Sequence, residues 1–453
     1  MGKLSIVVPA SNEEQRIGKL VDALLDWIRL ERVEAEIIFV LNGTTDRTQD
    51  VLEGRMGPVS IIRIIRLPFA GKGLALREGL SVTSNDCIVF MDADFSFHPN
   101  QIPKLLRALE KCDLVIGSRR HAETVCEGRP PRYREMLGCS YNRLARLLFR
   151  IRCFDTQSGL KAMKPVLKNV AESVATDGFA FDTDLVVRAE KAGLRICEVP
   201  IQYRHMKGSR IRMKDILAML SDTARIWLET RKTEERINGD EIAVRKFYDR
   251  LDGDTYFKAS RSLFLPRRWW RNSKDGLIIK ALETNTHSSR VLDAGCGSGV
   301  LASRISGSVN SICGLELGIQ AVAFANQRSR LIKLRNADFV RGDCRALPFR
   351  DGAFTHVVCS EVLEHLRGPG KSVREFSRVL SSNGIAVITT PRTSVRWALL
   401  ELIWTRLKRA IQEVHHRSMS ELSLKTLLVT NGFGHVSTRP ILLGCLTLAR
   451  ATR

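Results

Sequence analysis

The chain has no run of about 18 apolar residues, the length a helix needs to span a bilayer, so a helical membrane anchor is excluded from its 453 residues. The N-terminus lacks the apolar core of a signal peptide, because Ile6 to Ala10 is followed at once by Ser11-Asn12-Glu13-Glu14. The eleven cysteines are scattered, with no C-x-x-C pair and no zinc-ligand spacing. They are expected to be reduced, mostly buried thiols in a cytoplasmic protein. No internal repeat or low-complexity tract occurs, which removes the solenoid and disordered classes. Acidic residues are in short supply: 49 Asp and Glu stand against 71 Lys and Arg, giving a formal charge of +22. A deficit of this size implies an anionic partner, whether nucleic acid, a phospholipid surface or a phosphorylated substrate. No nucleic-acid-binding motif accompanies it, and no nucleic-acid partner is expected.

What is present is an ordinary globular composition, 44% hydrophobic and 26% charged, in a chain too long for one core. Two or three domains are expected. In the first half, Ser5 to Pro9, Glu36 to Leu41, Ser60 to Leu67, Cys87 to Met91 and Asp113 to Gly117 read as strands separated by helical segments. That alternation implies a mostly parallel sheet whose ligands bind beyond the carboxyl ends of the strands. The fourth strand ends in Met91-Asp92-Ala93-Asp94. An extended backbone puts Asp92 and Asp94 on one side with Ala93 opposite, and two hard oxygen ligands suit Mg²⁺ or Mn²⁺ holding a diphosphate.

Five clusters occur in order: Val7-Val-Pro9-Ala10-Ser-Asn12-Glu13, Asn42-Gly-Thr-Thr-Asp46, Gly71-Lys72-Gly73, Met91-Asp92-Ala-Asp94 and Gly117-Ser-Arg119. This series resembles the family 2 glycosyltransferases of the GT-A fold, and among them the polyprenyl-phosphate sugar transferases, such as dolichyl-phosphate mannose and glucose synthases. The resemblance implies that Pro9, Ala10, Asn12 and Glu13 border the nucleotide of a nucleotide diphosphate sugar and that Asn42 lies near its base. It implies that Asp92 and Asp94 hold the metal; Lys72 either adds charge there or ends its loop in solvent. Two positions depart from the family pattern. Leu41-Asn42 replaces a frequent Asp-Asp, which leaves the base open, and Ser96 stands where some relatives have Gln, leaving two protein ligands for the metal. Arg119 and Arg134 match arginines expected to bind the acceptor phosphate, with Ser158, Lys207 and Arg210 in matching acceptor-side loops. A lipid phosphate is already an ionised nucleophile, whereas a sugar hydroxyl needs a carboxylate base. The Gln-x-x-Arg-Trp motif of polysaccharide-making relatives is missing, so an inverting transfer to a polyprenyl phosphate is expected. From Arg134 to Arg152, a stripe of Leu137, Tyr141, Leu144, Leu148 and Ile151 is flanked by arginines. It reads either as a helix on an anionic membrane face or as one packed on its domain.

In the second half, Arg290-Val-Leu-Asp293-Ala-Gly295-Cys-Gly297-Ser-Gly299 reads as a strand turning into a helix through a glycine loop. Later strands end at Glu316, before Asp343, and before Glu361-Val-Leu-Glu-His365. This order resembles the class I S-adenosylmethionine-dependent methyltransferases, a Rossmann-like fold. The resemblance implies that Asp293, Gly295, Gly297 and Gly299 hold the methionine end, Glu316 the ribose hydroxyls and Asp343 the adenine. His365, His415 and His416 are either bases or ordinary structural histidines. The expected plan is thus α/β with two doubly wound domains. Residues 1–235 form the glycosyltransferase, 236–289 a linker and helical cap that includes Arg267-Arg-Trp-Trp-Arg271, and 290–453 the methyltransferase. The expected function is a bifunctional enzyme, peripheral on the cytoplasmic face of a membrane, that methylates its own glycolipid product. The alternatives are a hydroxyl acceptor, or one half acting as a non-catalytic binding module.

Overall fold

The computed structural model describes residues 3–56, 61–128, 131–206, 213–230, 249, 253–254, 257, 265–284, 288–366, 368–406 and 418–453. The chain divides into two compact units, Met1–Arg231 and Lys232–Arg453.

The first unit is built on β1 (Leu4–Ala10), β2 (Ala35–Asn42), β3 (Ile62–Leu67), β4 (Cys87–Met91), β5 (Leu114–Ser118), β6 (Val125–Glu127), β7 (Leu160–Met163), β8 (Ile196–Pro200) and β9 (Gln202–Arg204). Its main sheet has the order β3-β2-β1-β4-β7-β5-β8, with β6 and β9 paired separately. All seven residues of β1 are buried, as a central parallel strand covered on both faces requires. The helix Ile17–Glu31 covers one face by burying Ile17, Leu20, Val21, Leu24 and Trp27 at helical spacing. Strand β7 runs antiparallel to both neighbours, β4 and β5. The strand order reverses between β1 and β4, so the carboxyl ends of these two strands, at Ala10 and Met91, flank the crevice where open α/β sheets bind ligands.

The second unit contains β10 (Arg290–Ala294), β11 (Ser311–Glu316), β12 (Ala337–Arg341), β13 (Phe354–Ser360), β14 (Leu380–Pro391), β15 (His435–Ile441) and β16 (Leu446–Thr452). The order is β12-β11-β10-β13-β14-β16-β15, and β16 is antiparallel to both neighbours. Its reversal lies between β10 and β13 and sets the Asp293 loop beside Glu361. Trp270, from the Arg267–Arg271 cluster, is buried within this unit against Trp397, with ring centroids 6.4 Å apart.

Two expectations change. Cys112 and Cys197 form a disulfide, so the cysteines are not all free thiols. The reason is topological: β8 pairs with β5 so that Cys197 lies opposite Val115, and a separation of 85 residues hides this neighbourhood in the sequence. The arginine-flanked stripe also splits. Within the helix Arg132–Phe149, Tyr141 is buried and bonds to Thr183 and Thr223, while Leu137, Leu144 and Leu147 face solvent. Among the described residues, no helix is long and apolar enough to cross a membrane.

Two candidate active sites

The first site grows from the end of β4. Lys72, the first residue of the helix Lys72–Ser81, places its Nζ 2.8 Å from Asp92 Oδ1 and 3.4 Å from Asp182 Oδ2. Lys161 of β7 reaches Asp182 Oδ1 at 2.6 Å and the Ser158 carbonyl at 2.6 Å. Four charges from four elements therefore form one chain, and Lys72 faces the site rather than solvent. Burial pushes the Asp92 carboxyl above its ordinary range; Lys72 pulls it down and Asp94 pushes it up. Burial also acts on Asp182, but Lys161 and Lys72 outweigh it and hold that carboxyl low. Asp94 Oδ1 accepts the Ser96 N–H at 2.9 Å across Phe95, whose φ of 59° turns the chain sharply. Gly159 lies so close that a Cβ there would stand 2.0 Å from Asp92 Oδ2.

The fit to a divalent cation follows from this donor set. Asp92 and Asp94 offer partly accessible carboxylate oxygens of the hard type Mg²⁺ or Mn²⁺ takes. Among the described residues, no group of three or more Asp, Glu, His or Cys side chains is arranged to hold a metal. Any further ligands must come from diphosphate or water.

Of the residues expected to border the nucleotide, Pro9 and Ala10 end β1, and Asn12, at φ 56°, accepts the Thr45 N–H at 2.7 Å. The Glu13 N–H donates to Thr48 Oγ1 at 2.7 Å. The Asn42 side chain is buried: it donates to the Ala10 carbonyl at 3.0 Å and accepts from the Gly71 N–H at 3.1 Å. It clamps three loops together.

Among the residues expected to meet the acceptor, the Arg119 guanidinium forks onto Asp155, with Nε and one terminal nitrogen each 2.9 Å from a carboxylate oxygen. The Arg119 side chain is still 34% exposed while Asp155 is fully buried, so Asp155 aims the arginine. Burial pushes the Asp155 carboxyl up, but Arg119 outweighs it and the group is held low. Ser158 corrects the expectation of a phosphate contact. Its hydroxyl is fully buried and donates to the Gly117 carbonyl, bracing the loop from beneath. Arg134 lies in the helix Arg132–Phe149, its side chain outside the described residues, as are Lys207 and Arg210.

The second site forms at the end of β10. Gly295, Gly297 and Gly299 adopt φ of 81°, 52° and 70°, and a Cβ on Gly295 would meet Val362 at 2.3 Å. Asp293 is buried, and among the described residues its Oδ2 has no hydrogen-bond partner. Burial, with Asp275 and Glu316 nearby, pushes its carboxyl up to about 7 against the pull of Lys274. Glu316 accepts N–H bonds from Gly297 at 2.9 Å, Leu317 at 2.7 Å and Gly318 at 3.1 Å. The orphaned Asp293 oxygen and the open glycine loop fit the amino-acid end of S-adenosylmethionine. Asp343 differs from expectation, because Arg345 closes a forked ion pair on it, with a shortest contact of 2.7 Å. An adenine amino group would have to compete with that arginine. Burial pushes the Glu316 carboxyl up against the pull of its N–H donors and of buried His365, while His415 and His416 lie outside the described residues.

Sequence reasoning did not assign Lys161, Asp182, Lys274 or Glu361 to a site. A lone lysine in the buried strand Leu160–Met163 was a usable signal; the others needed the fold.

Comparison with known proteins completes the picture. Residues 5–170 match Glycosyl transferase family 2, and residues 292–388 match a methyltransferase domain family. A dolichyl-phosphate beta-glucosyltransferase of Trichomonas vaginalis is 27% identical over 237 residues, covering 49% of this chain and 72% of that protein. Glucosyl-3-phosphoglycerate synthase from Mycobacterium tuberculosis, solved with uridine diphosphate, aligns over 50% of this chain and 79% of its own, with 25% identity and a TM-score of 0.39. A crystal structure of a putative methyltransferase from Bacillus halodurans aligns over 40% of this chain and 98% of its own, with 16% identity and a TM-score of 0.33. The two family matches fall on the two separate sheets, so the chain joins an N-terminal glycosyl transferase family 2 domain to a C-terminal methyltransferase domain.

Proposed function

We propose that the first domain transfers a sugar from a nucleotide diphosphate to a polyprenyl phosphate with inversion. The observation that carries this reading is the juxtaposition of the Lys72–Asp92–Asp182–Lys161 charge chain with Arg119, which Asp155 holds oriented toward a partly open face. Asp92 and Asp94 would hold Mg²⁺ or Mn²⁺, which neutralises the departing diphosphate. Lys72 supplies fixed positive charge on the same side. Arg119 presents a planar donor to an acceptor phosphate, which needs no base. Similarity to dolichyl-phosphate glucosyltransferases supports the lipid acceptor.

The second domain would transfer methyl from S-adenosylmethionine, a step that needs alignment and exclusion of water more than a nucleophile. Its proposed acceptor is the glycolipid made by the first domain, because tethering raises the local concentration of a shared intermediate. The exposed Met136, Leu137 and Leu147, set among Arg132, Arg143 and Arg146, support a peripheral seat on the anionic cytoplasmic face of a membrane.

Incubation with several nucleotide sugars, labelled S-adenosylmethionine and a membrane lipid extract, followed by mass analysis, tests both steps. A glycosylated lipid phosphate carrying the methyl label is expected. Methylation of an unrelated soluble molecule with no labelled glycolipid would sink the shared-product reading. Asp94→Asn should cut sugar transfer by a factor of about 100 or more, the scale of a lost metal-site partner, while S-adenosylmethionine binding stays intact.

A further inference from the structure

Lys274 and Asp275 are neighbours on the helix Leu265–Leu282, and both side chains are buried. Adjacent helical residues point about 100° apart, so the two charges serve different partners. Asp275 turns to Arg304, with Oδ2 2.8 Å from its guanidinium, and Arg304 also bonds to Asn272 Oδ1 at 2.7 Å. These contacts fasten the helix to the helix Val300–Ile305, which follows the glycine loop. Lys274 is thereby set at the mouth of the cofactor site, where its ammonium bonds to Glu361 and its charge acts on Asp293.

Two observations mark this arrangement as a receptor rather than a closed ion pair. Asp293 Oδ2 is buried with no partner among the described residues, a costly state for a carboxylate unless a donor arrives. Glu361, which occupies Lys274, holds a left-handed φ of 55°, uncommon for a residue other than glycine. A carboxyl with one unpartnered oxygen and a buried ammonium beside one glycine loop match a zwitterion bearing both charges on one carbon.

We infer that Lys274 is a further cofactor-binding residue, taking the α-carboxylate of S-adenosylmethionine while Asp293 takes its ammonium, and that Glu361 is the stand-in the ligand displaces. This rests on the reading that the second domain binds S-adenosylmethionine. Titration calorimetry on the full chain, with S-adenosylmethionine, S-adenosylhomocysteine and decarboxylated S-adenosylmethionine, separates the two claims. Wild type should bind the carboxylate-bearing ligands at least about tenfold more tightly than the decarboxylated one, as expected for a charge-assisted contact. Lys274→Met should erase that preference while leaving affinity for the decarboxylated ligand within about twofold, and Lys274→Arg should keep most of it. Asp293→Asn should weaken all three ligands. Equal weakening of all three by Lys274→Met, or no preference in wild type, overturns the assignment alone. Failure of wild type to bind any of them overturns the cofactor reading with it. Should Lys274→Met melt early, the wild-type ratio and Lys274→Arg decide.

Discussion

A lysine with no solvent exposure has to be neutralised where it sits, and Lys161 achieves this through Asp182 and the Ser158 carbonyl, both at 2.6 Å. Asp182 then has one oxygen left for Lys72, and through Lys72 the buried pair is linked to Asp92. The lysine interrupting Leu160–Met163 was visible in the sequence, but its partner was not, because only the antiparallel insertion of β7 brings that strand beside β4. Asp293 shows the opposite case, a carboxylate that the fold leaves poorly served. With its folded value near 7 and an ordinary value near 3.8, the native state binds more protons than the unfolded state between those limits. Its contribution to stability is therefore favourable at low pH and is lost as pH rises from about 4 to about 7. Thermal melts of the ligand-free protein across that window should show this slope, and Asp293→Asn should flatten it. Binding of a ligand with an ammonium group near pH 7 should release protons, seen as a buffer-dependent binding enthalpy. A melt profile that Asp293→Asn leaves unchanged would contradict this account.

At the level of elements, β1, β2, β4 and β10 were legible because central parallel strands are continuous apolar runs that stop abruptly at polar loops. Strands β7 and β8 were not: β7 has four residues, and β8 is only half-buried along its length. The positions of Asp94 and the glycine loop at strand ends were readable from spacing. The burial of Ser158 and the ion pair of Asp343 were not, because neither the depth of a hydroxyl nor the reach of Arg345 is written in a motif. The glycine loop gives a sharp check. Gly295→Ala asks a side chain to adopt φ 81° and to overlap Val362, so it should cost about 1–3 kcal/mol in unfolding free energy and abolish S-adenosylmethionine binding. Denaturant melts and calorimetry on the same sample would measure both, and near-wild-type binding would show that the loop opens more freely than its packing indicates.

Across the whole molecule, the charge of +22 is large enough to influence where the enzyme works. Co-sedimentation with vesicles containing phosphatidylglycerol should exceed that with neutral phosphatidylcholine vesicles and fall as salt rises. Leu147→Glu, on the outward face of the helix Arg132–Phe149, should lower the bound fraction by about fivefold or more, since it replaces apolar contact with a repelled charge. Equal binding to both vesicle types, or no effect of Leu147→Glu, would remove the membrane seat from the proposal.

The Cys112–Cys197 bond has a consequence of its own kind. It closes a loop whose ends are 85 residues apart, and inside that loop lie Arg119, Asp155, Ser158, Lys161 and Asp182. The proposed acceptor side thus lies within a covalent ring that includes strands of the sheet. One backbone cut within it opens the ring without freeing a fragment, whereas one cut outside it divides the chain in two.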